Sequence, residues 1–320
     1  MSEESQIMDA ERRAGLYAQA GELRPELHRY CARLMGSVID GEDVVQDTLV
    51  RAFTALQQME EPPVLRSWLF RIAHNRALDL IRGRSIRVTE NIDEAIAVAE
   101  DSDLEPDAIM MRDQAVNAAV TQFTRLPHMQ RSAVILKDVL DESLVDIASL
   151  MGLTVDAVKG HLARGRSHLR QINAQASAQP VITPPSDDVK RYVSLFNERN
   201  WSGLRALLAN DVKLNQATHP LRSGSVDVGM FFSIYAKIEG AWLAHARLEE
   251  REVIAVYRNR IDSVPSYFMW LEWRDGLICF IHDYRYVDYV LKDAEILITP
   301  ELSDHRGSGL SEAPNACGIE

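Results

Sequence analysis

Between residues 143 and 171 the chain reads SLVDIASLMGLTVDAVKGHLARGRSHLRQ, and its apolar positions fall at helical spacing twice. Ile147, Leu150 and Met151 share one face, and Gly152 follows as a left-handed stop. Thr154 offers a hydroxyl to cap a second helix, along which Val158, Leu162, Gly165 and Leu169 recur. Lys159, Arg164, Arg166 and Arg170 point elsewhere. Two helices joined by a glycine turn, the second basic on its free face, predict a helix-turn-helix whose second helix enters a DNA major groove. Residues 23–84 are also helical in pattern. Leu27, Tyr30, Cys31 and Leu34 make a first stripe, and Val45, Leu49, Ala52, Phe53 and Leu56 a second, opened by residues 40–43. After Pro62-Pro63, Ser67 is placed to cap a third helix over 68–82, with Trp68 spaced as a core residue. A helix is expected from 108 to 124 and another from 129 to 140, making 115–171 a four-helix unit.

After 187 the pattern changes. Helices are expected at 189–197, 202–209 and 226–238, and strands at 242–248, 252–257, 266–273 and 277–286. Asp275-Gly276 is suited to a two-residue hairpin turn. Helices followed by antiparallel strands indicate an α+β unit. The divisions are 1–87, an acidic linker 88–114, 115–171, a Pro-rich linker 172–186, the α+β unit 187–299, and a tail 300–320 expected to be disordered.

Composition sharpens this picture through its distribution. The net charge is −12 over 320 residues, which by itself disfavours a polyanion as partner. Residues 88–107 hold eight acids and no Lys or Arg, whereas 64–87 hold six arginines against Asp79 alone. Local field, not the sum, governs binding to nucleic acid. The three cysteines match no metal or disulfide spacing, no apolar run reaches membrane-spanning length, and the polar start is no signal peptide. The expectation is a cytoplasmic protein without metal or other cofactor.

The blocks IDGEDVVQDTLVRAF with LRSWLFRIAHNRALDLIRGR, and RLPHMQRSAVILKDVLDESLVDIASLMGLTVDAVKGHLARGRSHLR, resemble domains 2 and 4 of the extracytoplasmic-function group of bacterial sigma factors. The order and the acidic spacer agree with that family. The resemblance implies a non-enzymatic transcription initiation factor with RNA polymerase core (β′ and β subunits) and promoter DNA as partners. It assigns Asp43, Gln46, Asp47 and Arg51 to the clamp coiled coil of β′. It assigns Arg71, Asn75, Arg76, Asp79 and Arg82 to the minus-ten element, where strand opening needs a basic groove and a pocket for an extruded base. Thr154, Val155, Asp156, Lys159 and Gly160 would meet bases of the minus-thirty-five element, with Arg164 and Arg166 on phosphate. Family members commonly carry Ser or a larger polar residue at Gly160 and Ala at Gly165, so both glycines are expected to weaken the helix.

DDVKRYVSLFNERNWSGLRALLANDVKL and GLICFIHDYRYVDYVL resemble the SnoaL-like branch of the nuclear-transport-factor-2-like fold, a cone of helices on a curved sheet. The implied fold is therefore multidomain: all-α domains 2 and 4, then an α+β cone. The resemblance implies that the cone modulates sigma activity by contact with the other domains. The alternative is a small-molecule-binding or catalytic module of isomerase or hydrolase type, with Tyr235, Trp242, His245 and His282 as its pocket. His282 and Asp283 adjoin on a strand and so face opposite sides. A plain DNA-binding regulator would need no polymerase-gripping helix.

Overall fold

The computed structural model describes residues 3–59, 63–87, 115–116, 118–175 and 184–299. The acidic linker, most of the Pro-rich linker and the tail expected after 299 lie outside these residues. The N-terminal unit is three helices, α1 (Glu3–Met35), α2 (Val38–Leu56) and α3 (Leu65–Arg87). Leu27, Tyr30, Cys31 and Leu34 are fully buried, as their spacing predicts. Two helix starts differ from expectation. Ser37, not residue 40, caps α2 by accepting the Asp40 N–H, because its extended backbone leaves the hydroxyl free to reach forward. Ser67 lies inside the first turn of α3, where its hydroxyl donates to Val64 O instead of capping.

Of the helix expected over 108–124, the described residues are helical at 115–116 and then, past a break at 118–119, form a 3-10 helix over Val120–Arg125. It is followed by α4 (His128–Val134), which passes into a π-turn at Ile135–Val139. Helices α5 (Leu144–Met151) and α6 (Val155–Gln175) form the helix-turn-helix, and Gly152 between them has φ 68°, a conformation favoured only without a Cβ. Thr154 caps α6 through Ala157 N–H at 3.2 Å. This unit does not stand apart from the first. Leu34, Phe70, Phe123, Ile135, Ile147 and Leu162 belong to one continuous apolar core, against which Trp68 packs.

The C-terminal unit comprises α7 (Asp187–Asn197), α8 (Trp201–Ala206), α9 (Ser225–Tyr235) and a seven-stranded mixed sheet. Its strands are β1 (Leu208–Gln216), β2 (Arg222–Ser223), β3 (Trp242–Leu248), β4 (Arg251–Tyr257), β5 (Tyr267–Arg274), β6 (Leu277–Asp283) and β7 (Ile296–Ile298), in the order β2-β1-β6-β5-β4-β3-β7. The four expected strands are present, and Asp275 and Gly276 turn the β5–β6 hairpin with φ of 54° and 72°. Strand β1, unassigned by pattern apart from a helix carried too far, runs parallel to β6.

Strand alternation sends the two faces of this sheet to different partners. Leu243, Ile254, Val256, Met269 and Ile281 pack under the unit's own helices with Tyr192, Phe196, Phe231 and Tyr235. Leu248, Val253, Ala255, Phe268 and Tyr284 pack on the other side against Ala32, Val38 and Ile39 at the α1–α2 elbow. The C-terminal sheet is therefore an apolar layer between its own helices and the N-terminal unit.

Candidate partner and nucleic-acid interfaces

On α2, Asp40, Asp43 and Asp47 fall at i, i+3 and i+7, so all three project from one side. Asp47 forms ion pairs with Arg76 at 2.5 Å and with Arg51 at 3.4 Å. Asp40 holds Arg84 at 2.8 Å with one oxygen and Arg251 of β4 at 2.7 Å with the other. Asp43 stays exposed but is hemmed in; restricted water, then the charges of Asp40 and Glu42, push its carboxyl up to about 7. Gln46 accepts from the Asn215 side chain at 3.4 Å. The three aspartates, Gln46, Arg76, Arg84, Asn215 and Leu80 line a cleft of about 510 Å³ between α2, α3 and the end of β1. Of the four residues expected to grip a partner, Asp43, Gln46 and Asp47 are thus brought together, with Arg51 outside the cleft beside Asp47 and the C-terminal unit at their edge.

Along α3, Arg71, Asn75, Asp79 and Arg82 are exposed and make one row down the helix. Arg76 departs from this row and is committed to Asp47. Between them, and not anticipated from the pattern, His74 is buried. Its Nδ1 meets the Tyr30 hydroxyl at 2.6 Å, and burial, then His128 and Arg82, pull its pKa down to about 4.

At the start of α6, Thr154, Asp156 and Lys159 are exposed, with Lys159 3.6 Å from Asp156. Val155 is half-buried against the core. Gly160 adjoins Arg164, whose guanidinium is 3.5 Å from His161. The phosphate role expected for Arg166 is not supported by its placement. Arg166 is largely buried and pairs with both oxygens of Asp138, itself 2% exposed, through Nε–H at 2.9 Å and Nη2–H at 2.5 Å. A carboxylate buried on the π-turn needs that cation, so Arg166 fastens α6 to the preceding helix.

The expected pocket does not form as one set. Tyr235 faces the helix-covered side of the sheet, and alternation puts His245 on the same side as Leu243. Trp242 and His282 face the other side. His282 lies between Trp270 at 4.5 Å and Phe280 at 4.1 Å and donates to Glu272 at 2.8 Å. The neighbouring Asp283 points inward as alternation requires. It accepts from Gln216 at 2.8 Å and Arg285 N–H at 3.1 Å, and burial raises it to about 6. Tyr235 and Tyr267 share a hydrogen bond nearby, and the Tyr192 hydroxyl is buried without a hydrogen-bond partner.

Pattern reading missed the residues that join the C-terminal sheet to α1 and α2. Glu42, 2% exposed, accepts from Arg24 and from the Tyr289 hydroxyl at 2.8 Å, while Arg24 also donates to Tyr289 at 2.7 Å and to Ala217 O at 3.1 Å. Arg33 pairs with Asp293 at 3.1 Å, and Val38 N–H donates to Glu249 at 2.6 Å. An acid so placed on an otherwise apolar helix face was the available signal. Among the described residues, no helix is long and apolar enough to cross a membrane.

Comparison with known proteins matches two segments to family profiles, Sigma-70 region 2 over residues 20–86 and Sigma-70, region 4 over 118–169. The ECF RNA polymerase sigma factor SigG of Mycobacterium tuberculosis is 30% identical over 210 residues, 58% of this chain and 57% of that protein. The RNA polymerase sigma factor CnrH of Cupriavidus metallidurans is 34% identical over 137 residues, 41% of this chain and 71% of that protein. The chain thus spans little more than half the length of SigG and most of CnrH. The crystal structure of the extracytoplasmic function sigma factor SigJ of Mycobacterium tuberculosis is similar with a TM-score of 0.33 and 19% identity, over 86% of this chain and 98% of that one.

Proposed function

This chain belongs to the sigma-70 family of RNA polymerase sigma factors, in its extracytoplasmic-function group, and from that premise we propose that it binds core polymerase in the cytoplasm and directs initiation at a limited promoter set. The observation that carries the reading is that α2 and α3 present a clustered acidic face and an arginine-bearing row in the order the family uses. Asp43, Gln46, Asp47 and Arg51 receive the polymerase clamp. Arg71, Asn75, Asp79 and Arg82 face the opened minus-ten strand, and Arg76 joins them once released from Asp47. The N-terminal turn of α6 reads the minus-thirty-five element, where the helix dipole and Lys159 favour phosphate.

The two readers must separate to do this. Elements centred about 25 base pairs apart are roughly 85 Å apart along B-form DNA, whereas α3 and α5 touch within one core. The described arrangement is a closed form, and promoter engagement requires domain 4 to leave domain 2. The cone domain modulates that step. It is docked on domain 2, and only residues 176–186 join it to α6, a span of at most roughly 40 Å when extended. The cone is therefore an anchor that limits how far domain 4 travels.

Transcription in vitro with purified core enzyme on a genomic promoter library tests the reading. Wild type should yield promoter-specific transcripts, and Asp47→Lys should yield none while melting as wild type does. Wild-type core binding by Asp47→Lys would mean the wrong face is assigned. A second reading, a small-molecule site inside the cone, draws on buried Asp283 beside Tyr235, Tyr267 and the unpartnered Tyr192 hydroxyl. Asp283→Asn with unchanged ligand-screen melting shifts would remove it.

A further inference from the structure

Resting on the polymerase reading of α2, we propose that the cone domain stays docked when core polymerase binds and supplies part of the receiving surface, a ledge formed by Asn215, His219 and Tyr286. Three observations lead there. The first is the character of the joint. Undocking would expose Val38, Ile39, Phe268, Tyr284 and Val290 to water together and strip Arg33 of Asp293. Such a joint resembles a divided domain core more than a transient contact.

The second is position. The gap that separates Asp43 and Gln46 from Asn215, Ala217 and His282 is about 10 Å³, room for no more than a water. Asn215 meets Gln46 and also lines the cleft in which Asp43 and Asp47 lie. Nothing can be laid along this side of α2 without meeting the end of β1.

The third is chemistry. Two residues after Ala217, whose carbonyl is fixed by Arg24, the chain presents His219 with its ring 4.3 Å from that of Tyr286. Both side chains are exposed, Tyr286 at 45%, and the Arg285 guanidinium lies 5.8 Å from the Tyr286 ring. Of the aspartates on the adjoining face, Asp40 and Asp47 are each held by arginines, while Asp43 has no ion pair among the described residues. An acid without a counter-ion on that face, with exposed aromatic rings in the turn that follows β1, fits a basic helix, since an approaching guanidinium both favours and binds the ionised carboxyl and stacks on aromatic rings. The partner is accordingly an arginine-bearing helical segment of core polymerase.

The test titrates fluorescently labelled full-length protein with purified core polymerase, comparing wild type, His219→Ala/Tyr286→Ala and Asp47→Lys, each checked by thermal melting. The double variant changes exposed side chains only, so it should fold; its core affinity should fall about tenfold, as expected when an aromatic interface anchor is truncated. Asp47→Lys should abolish binding. If Asp47→Lys abolishes binding but the double variant binds as tightly as wild type, or more tightly, the ledge is not part of the surface and the proposal falls alone. If Asp47→Lys binds normally, the polymerase reading of α2 fails and takes the ledge with it.

Discussion

Domain 2 carries two other domains, and it holds them by different physics. The cone joint is an apolar sheet face on the α1–α2 elbow with its buried charges matched: Arg24 with Glu42, Arg33 with Asp293, Arg251 with Asp40. The domain 4 joint also has a shared apolar core, but its buried polar groups lack counter-charges. Arg131 enters that core to donate to three carbonyls, Leu34 O, Thr124 O and Leu126 O, and burial lowers its pKa to about 10. Among the described residues the ion cluster there, Arg66 with Glu26 and Glu142, is partly exposed and screened by solvent. A buried histidine at each joint shows the same difference. His28, at the cone joint, is kept neutral chiefly by burial, with Glu42 and Asp293 favouring its cation. His74, at the domain 4 joint, is held by the Tyr30 hydroxyl, and besides burial His128 and Arg82 both disfavour its cation. Both joints are closed, but domain 4 is the one poised to open.

The largest test of this contrast breaks the matched charges. Glu42→Ala would leave Arg24 buried with only Tyr289 and a carbonyl, and a buried charge without its partner costs about 3–5 kcal/mol. Urea unfolding should show a free energy lower by that amount, read as a reduced midpoint at unchanged slope. Arg66→Ala, at the other joint, should cost no more than about 1 kcal/mol. Equal losses would erase the distinction between the joints.

Acid should open the domain 4 joint first. A free histidine titrates near 6.5, whereas His74 in the closed form is pulled down to about 4. Closure therefore binds fewer protons than the open form, and its stability is intact above about pH 6.5. It is lost as pH falls toward 4, by roughly 3 kcal/mol in all. Energy transfer between labels on domains 2 and 4 should fall across that window, and His74→Asn should flatten the fall. A transition with the same midpoint in His74→Asn would mean another group controls it.

How far the sequence reveals these joints follows from the range of each interaction. Helices and hairpin strands were legible because their signals are local: the 3.6 spacing of Leu27 to Leu34, the alternation of β3 to β6, the turn at Asp275-Gly276. Strand β1 was not, since LANDVKLNQ carries exposed Asp211 and Lys213 and gains its place by pairing with a strand some 65 residues later. The docking network was invisible for the same reason, as Arg24 and Tyr289 are 265 residues apart. The partner of Arg166 was hidden as well, because an arginine on the second helix of a helix-turn-helix looks alike in sequence whether it faces solvent or Asp138. The acidic and arginine faces of α2 and α3 were legible as patterns; that Arg76 and Arg84 are tied back onto Asp47 and Asp40 was not.

The smallest predicted effect sharpens the comparison from inside domain 4, which must hold its own fold once it leaves domain 2. Both glycines of α6 were expected to weaken it, and the structure separates them. A Cβ at Gly165 would lie 2.7 Å from Val134 Cγ2 and 3.0 Å from Gln130 O, so glycine there permits α4 and α6 to approach. Gly165→Ala should cost about 1–3 kcal/mol through overpacking. At Gly160 the nearest atoms are the movable end of Arg164, at 3.5 Å, and the helical backbone is unstrained. Gly160→Ala should gain up to about 1 kcal/mol of helix stability. Thermal melts of the full chain would read the opposite signs directly. A loss at both positions would place an unseen constraint on the reading face of α6. A gain at Gly160 accompanied by altered minus-thirty-five preference would instead show that the bare backbone there serves base contact, at a cost in the stability of the free domain.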